Sequence, residues 1–169
     1  MDEAALIRRQ HEVERAHLRE AVQVLDDLKI SGDLTREITI TYSDYIIRYI
    51  RLAVSRFETM AQQLARKAAL APQDRVSLEN LAELKRTSEI LLAQLEQSEP
   101  SPEPAAPARA AFEISERMRA LVTPLLEQHF VLSDWRHSAR FDADSMLEER
   151  RRFAQLMALR RDRKRATPA

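Results

Sequence analysis

Apolar residues recur at steps of three and four along most of this chain, and that periodicity constrains its fold more than any single motif does. From Ala4 to Ile30 the positions Ile7, His11, Glu14, Leu18, Ala21, Leu25 and Leu28 share one helical face. Ser31-Gly32-Asp33 ends that helix, Gly relieving the backbone and Asp33 standing where it can cap the next one. A second helix is predicted from Leu34 to about Ala69, with a seam of Ile38, Tyr42, Tyr45, Tyr49, Leu52, Met60 and Leu64. Residues 37–42 alternate like a β-strand, but no second strand exists to pair with them. Leu70-Ala71-Pro72 breaks the run, because the residue before Pro is pushed out of the helical region.

A third helix is expected over Gln73–Gln97 on a stripe of Val76, Leu81, Leu84, Ile90, Leu91 and Leu95. Ser98–Ala108 holds four prolines and reads as a stiff, exposed linker. The fourth helix starts near Ala110 and passes Phe112, Ile114, Met118, Leu121 and Val122. It kinks or restarts at Thr123-Pro124 and runs on to about Arg140. A fifth begins near Asp144, where Ser145 and Glu148 have capping-box spacing, and runs to about Arg163. The expected fold is therefore all-α: an antiparallel four-helix bundle with an additional C-terminal helix. Residues 1–97 form its first three helices, 98–109 the linker, 110–163 the helices that complete it, and 164–169 a tail.

Composition removes whole classes of chemistry. There is no Cys, so disulfides, thiolate metal sites and Cys nucleophiles are excluded. Gly occurs once, at Gly32, and a phosphate-cradling loop needs several. Lys+Arg and Asp+Glu both number 27, so the net charge is zero and any pull on nucleic acid or membrane must be local. No apolar run approaches the roughly 18 residues that span a bilayer. The opening Met1-Asp2-Glu3-Ala4 does not read as a signal peptide, so the expected compartment is the cytoplasm.

Of the four histidines, His11 and His129 fall on apolar seams of different helices, and Glu14 lies one turn from His11. Imidazole and carboxylate on facing helices are how bundles build metal sites. A buried histidine of the ordinary structural kind fits the same positions. His17-Leu18-Arg19 invites a phosphotransfer reading, but Arg19-Glu20-Ala21 puts an acid where Lys and a small residue would be needed, and His17 reads as a solvated helix face. The stripe Tyr42, Tyr45 and Tyr49 suits core packing with hydroxyls at the rim.

The segments LIRRQHEVERAHL and LLEQHFVLSDWRHSARF, followed by FDADSMLEERRRFAQL, resemble a hemerythrin-like bundle. The resemblance implies His11 as the early core-face histidine, and His129 with Asp134 as the later histidine–acid pair. It also implies iron or another divalent metal. The departure lies in the middle helices, from which that family draws much of its ligand set. No histidine occurs between His17 and His129, and Tyr49, Ile50, Ala53, Val54, Leu84 and Ile90 stand where ligands would be sought. A chain of this type would be a degenerate member. The shorter run LEQHFVLSDW is similar to part of a family of helical regulators that sequester a sigma factor.

The densest charge is C-terminal. Arg150, Arg151, Arg152, Arg160, Arg161, Arg163, Lys164 and Arg165 face a single acid, Asp162, within sixteen positions. Such a patch suits an acidic protein partner or a nucleic-acid backbone, and equally a solvated helix end near its negative dipole. Only Phe153 interleaves it, which disfavours base stacking. The sequence thus points to a non-enzymatic regulatory or adaptor bundle acting on a protein partner, without a cofactor. The alternatives are a hemerythrin-like metal sensor using His11, Glu14, His129 and Asp134, and weak nucleic-acid binding through the basic segment.

Overall fold

The computed structural model describes residues 2–97 and 103–128, together with Phe130 and positions 151, 155 and 158. It contains four long helices, α1 Glu3–Ser31, α2 Arg36–Ala65, α3 Pro72–Gln97 and α4 Ala106–Glu127, and no strand among the described residues. The strand-like alternation of residues 37–42 lies inside α2, where Thr41 donates its hydroxyl to the Glu37 carbonyl at 2.9 Å. A β-branched run is absorbed into a helix when its apolar positions also fit a helical face and tertiary packing covers them.

Local chemistry fixes the helix ends. Asp2 caps α1 by accepting from the Ala5 N–H at 2.7 Å. Gly32 closes α1 in the left-handed region, with φ 74°, and the Asp33 N–H reaches back to the Leu28 carbonyl at 2.9 Å. Asp33 is thereby drawn into the end of α1. The cap of α2 is Thr35 instead, whose hydroxyl accepts from Ile38 N–H at 3.2 Å. Asp74 holds the start of α3: its carboxylate accepts from the Ala71 N–H and from Lys67 Nζ, each at 2.9 Å.

Two expectations for α4 change. It begins at Ala106, and Ala105 and Ala108 are buried, so the end of the Pro-rich stretch packs as structure. Pro107 sits in its first turn, where a missing N–H costs nothing. The helix passes through Pro124 without restarting and ends at Glu127, well short of Arg140. Pro124 lacks an N–H and crowds the preceding turn, which weakens the helix just before it stops. The expected fifth helix lies outside the described residues except for Arg151, Gln155 and Ala158, which are helical and exposed.

Ion pairs set the directions. Lys29–Glu103 and Arg109–Asp26 join the end of α1 to the start of α4, so these two are antiparallel. Arg51–Glu96 and Lys85–Glu58 do the same for α2 and α3. At the other end Lys67 meets Gln128, so α2 and α4 run parallel and touch across the bundle. The backbones of α2 and α3 make the broadest approach, while α1 comes near α2 only sparsely.

The core runs the length of the bundle through Leu18, Leu25, Ile38, Ile50, Phe57, Met60, Leu81, Ala108, Ala111 and Met118. All seven seam residues expected on α1 are buried. Of the expected α2 seam Ile38, Tyr49, Met60 and Leu64 are buried, while Tyr42, Tyr45 and Leu52 are half-buried and Ile46, Ile50, Ala53 and Phe57 complete the interior face. On α3, Leu81 and Leu84 are buried, but Val76 and Ile90 are 56% and 55% exposed. Truncating Phe57 to Ala should cost about 3–5 kcal/mol through lost burial and a cavity. Val76→Ala and Ile90→Ala should each stay within about 0.5 kcal/mol. Chemical denaturation measures the contrast, and equal losses at the three sites would contradict the packing.

Candidate functional site

At mid-height of the bundle, polar side chains from three helices meet in the interior. Their positions follow from helix registers that are otherwise apolar. On α1, His11, Glu14 and Arg15 continue the face of Ile7 and Leu18. On α2, Tyr49 and Arg56 flank Ala53, and on α4, Ser115 lies between Ala111 and Met118. All six are buried.

The centre is an ion pair. Arg56 Nη1 donates to both oxygens of Glu14, at 2.6 and 2.7 Å, and the two side chains are 0% and 2% exposed. A charge in such surroundings loses its hydration, and only a close, hydrogen-bonded counter-charge offsets the cost. Arg15 lies beside this pair, donates to Glu12 at 2.8 Å and also reaches Glu116 on α4. Arg119 of α4 stands 3.5 Å from Glu12, so a ladder of charge links α1 to α4 at the edge of the buried pair.

The neighbours respond to this field. Burial, and then the positive charges of Arg56 and Arg15, push the His11 imidazole down from 6.5 to about 4. His11 is therefore neutral at physiological pH. Burial, reinforced by the Glu14 carboxylate, raises the Tyr49 hydroxyl well above its ordinary range, so it stays protonated. The Arg15 guanidinium holds the Glu116 carboxyl below the usual carboxylate range. The Tyr49 hydroxyl interacts with Ser115, but neither oxygen reaches a partner within ordinary hydrogen-bond geometry.

The predicted site residues divide accordingly. His11 and Glu14 do lie together on the interior face of α1. His129, Asp134, Arg150, Arg152, Arg160, Arg161, Arg163, Lys164 and Arg165 lie outside the described residues, and Arg151 is an exposed helical position. Sequence reasoning missed Arg15, Ser115 and, at the centre of the site, Arg56. The signal for Arg56 was available: a cation three residues after Ala53 and four before Met60 stands on an apolar seam.

The fit of a metal is poor among the described residues. Glu14 commits both oxygens to Arg56, and Arg56 and Arg15 together place positive charge where a divalent cation would have to enter. No group of three or more His, Asp or Glu converges among the described residues. Compared with known protein families, curated proteins and solved structures, the chain matches none.

The depressed His11 makes stability depend on pH. The unfolded chain takes up a proton near pH 6.5, whereas the folded chain resists it to about pH 4. The contribution is fully present above pH 6.5 and is lost as pH falls toward 4, amounting to about 3 kcal/mol. His11→Met should flatten denaturation midpoints between pH 4 and 6.5. An unchanged slope in that window would show that His11 is not held neutral by the fold.

Proposed function

We propose that this chain is a non-enzymatic regulatory or adaptor bundle that works by binding another macromolecule, most directly a protein. The observation that carries this reading is the state of the interior polar residues. The groups with the greatest chemical potential in the described chain, Glu14, Arg56, His11 and Tyr49, are buried, mutually neutralised or held in their uncharged forms. That arrangement supports a scaffold, and it leaves recognition to the surface.

The strongest surface signal is the C-terminal charge. Eight cations and one acid fall between Arg150 and Arg165 of a chain with zero net charge, so the remainder carries the balancing acidic excess. A segregated field of this kind steers an acidic partner and weakens with salt. Helical, exposed Arg151, Gln155 and Ala158 support an additional C-terminal helix as the carrier of those cations. No helix among the described residues is long and apolar enough to cross a membrane, which is compatible with a cytoplasmic setting.

A metal-sensing bundle of hemerythrin-like type is the second reading, supported by His11 and Glu14 on the interior face of α1 and opposed by Arg56. Elemental analysis separates the two: about two iron atoms per chain would replace the adaptor reading. The adaptor reading is tested with Arg160, Arg161, Arg163, Lys164 and Arg165 changed to Gln. Capture from native lysate should lose specific protein bands that the unaltered chain retains at low salt. Retention of every band would remove the cations from partner binding, and bands that vanish on nuclease treatment would point to nucleic acid.

A further inference from the structure

The two halves of α1 hold to the bundle by different chemistry. From Leu18 onward the interior face is apolar, with Leu18, Ala21, Leu25 and Leu28 buried. In residues 3–17 the buried positions are Ile7, His11, Glu14 and Arg15, so Ile7 is the one buried apolar side chain of this half. Its other large apolar residues stay toward solvent: Leu6 is 53% and Val13 41% exposed.

The energy of lifting each half differs accordingly. Residues 3–17 meet α4 through Arg15–Glu116 and Arg119–Glu12, whose carboxylates are substantially exposed, and pairs of that kind contribute little. Their deepest tie is Glu14–Arg56. Lifting this half separates those two charges but returns both to water, and the regained hydration offsets much of the lost attraction. Lifting residues 18–31 strips leucines of their burial, and water gives nothing back.

The other helices do not need this half to stay assembled. The backbone of α1 approaches α4 broadly, α2 sparsely and α3 not at all. Meanwhile α2 meets both α3 and α4, and α3 meets α4. These three supply Phe57, Met60, Leu81, Leu84 and Met118 to the common core.

We infer that residues 3–17 of α1 form a strap that opens as one unit, with residues 18–31 and the other helices in place, and that its opening uncovers the Arg56 guanidinium. Cooperative local opening falls where few apolar contacts are buried. Closed, the strap sets Glu14 against the most deeply buried cation among the described residues. Open, it leaves that cation to solvent beside Tyr49 on α2. The device uses none of the C-terminal cations, so it stands or falls separately from the adaptor reading.

Native-state hydrogen exchange of the full chain in rising, sub-denaturing urea tests the strap. Amides of residues 8–17 should share one opening, about 100-fold more populated than the opening that releases residues 21–30 and less steep in urea. Leu25→Ala then separates the strap from global unfolding, because Leu25 stays packed when the strap opens. It should lower the protection of residues 21–30 by about thirty-fold or more, and leave that of residues 8–17 unchanged. Phenylglyoxal modification of Arg56, mapped by mass spectrometry, should be equally insensitive to this substitution. Equal protection along α1 would overturn the proposal, as would protection graded from the N-terminus without urea dependence. So would a Leu25→Ala change that lowers both groups alike or speeds Arg56 modification with residues 21–30. If Leu25→Ala does not fold, the urea series on the unaltered chain decides alone.

Discussion

The buried pair between Glu14 and Arg56 is the interaction on which the rest of this bundle depends. Helix α1 approaches α2 only sparsely, and Glu14 and Arg56 lie buried in the space between them. Two opposite charges fill it, joined by both carboxylate oxygens. Removing such groups from water costs several kcal/mol each, and the geometry of the pair is what makes the burial tolerable. The pair fixes which residue of α1 faces which residue of α2, a specification that interchangeable apolar side chains would leave looser.

From that fixed point the charges organise outward. Arg15 carries the network to Glu12 and Glu116, Arg119 extends it, and the α1–α4 pairs at Asp26–Arg109 and Lys29–Glu103 continue it to the far end. The outer pairs are exposed, and each adds little stability on its own. Their value is directional: they hold α1 and α4 in one register as an antiparallel couple, while α2 and α3 form the other. His11 and Tyr49 then sit uncharged beside the central pair. In the adaptor reading proposed above, a centre of this kind serves structural specificity and recognition falls to the surface.

Much of this was legible in the sequence because helical periodicity and burial have the same cause. Every seam residue of α1 is buried, and the β-branched run at 37–42 is helical. The failures are equally physical. On α2 the expected seam holds at Ile38, Tyr49, Met60 and Leu64, but Tyr42 and Tyr45 stay at the rim while Ile46, Ile50 and Phe57 turn inward. Val76 and Ile90 are apolar on a helix whose neighbours cover only a narrow strip, a fact of packing that one helix cannot reveal. Asp33 lost its capping role because Gly32 drew it into the end of α1. At the site, His11 and Glu14 stand as metal candidates of the alternative reading because acid and imidazole on a seam suit a metal. Arg56 gives Glu14 a different cation, and its position between Ala53 and Met60 carried that information.

A double-mutant cycle on Glu14→Leu and Arg56→Met measures the central claim most directly, by denaturant unfolding of the four proteins at neutral pH. If the pair organises the α1–α2 junction, each single change strands an uncompensated buried charge and costs about 3–5 kcal/mol. The double variant should then lose at least about 2 kcal/mol less than the sum of the singles. Two small, additive losses would contradict the account, since they would mean that the two charges reach water independently and that the bundle does not close around them.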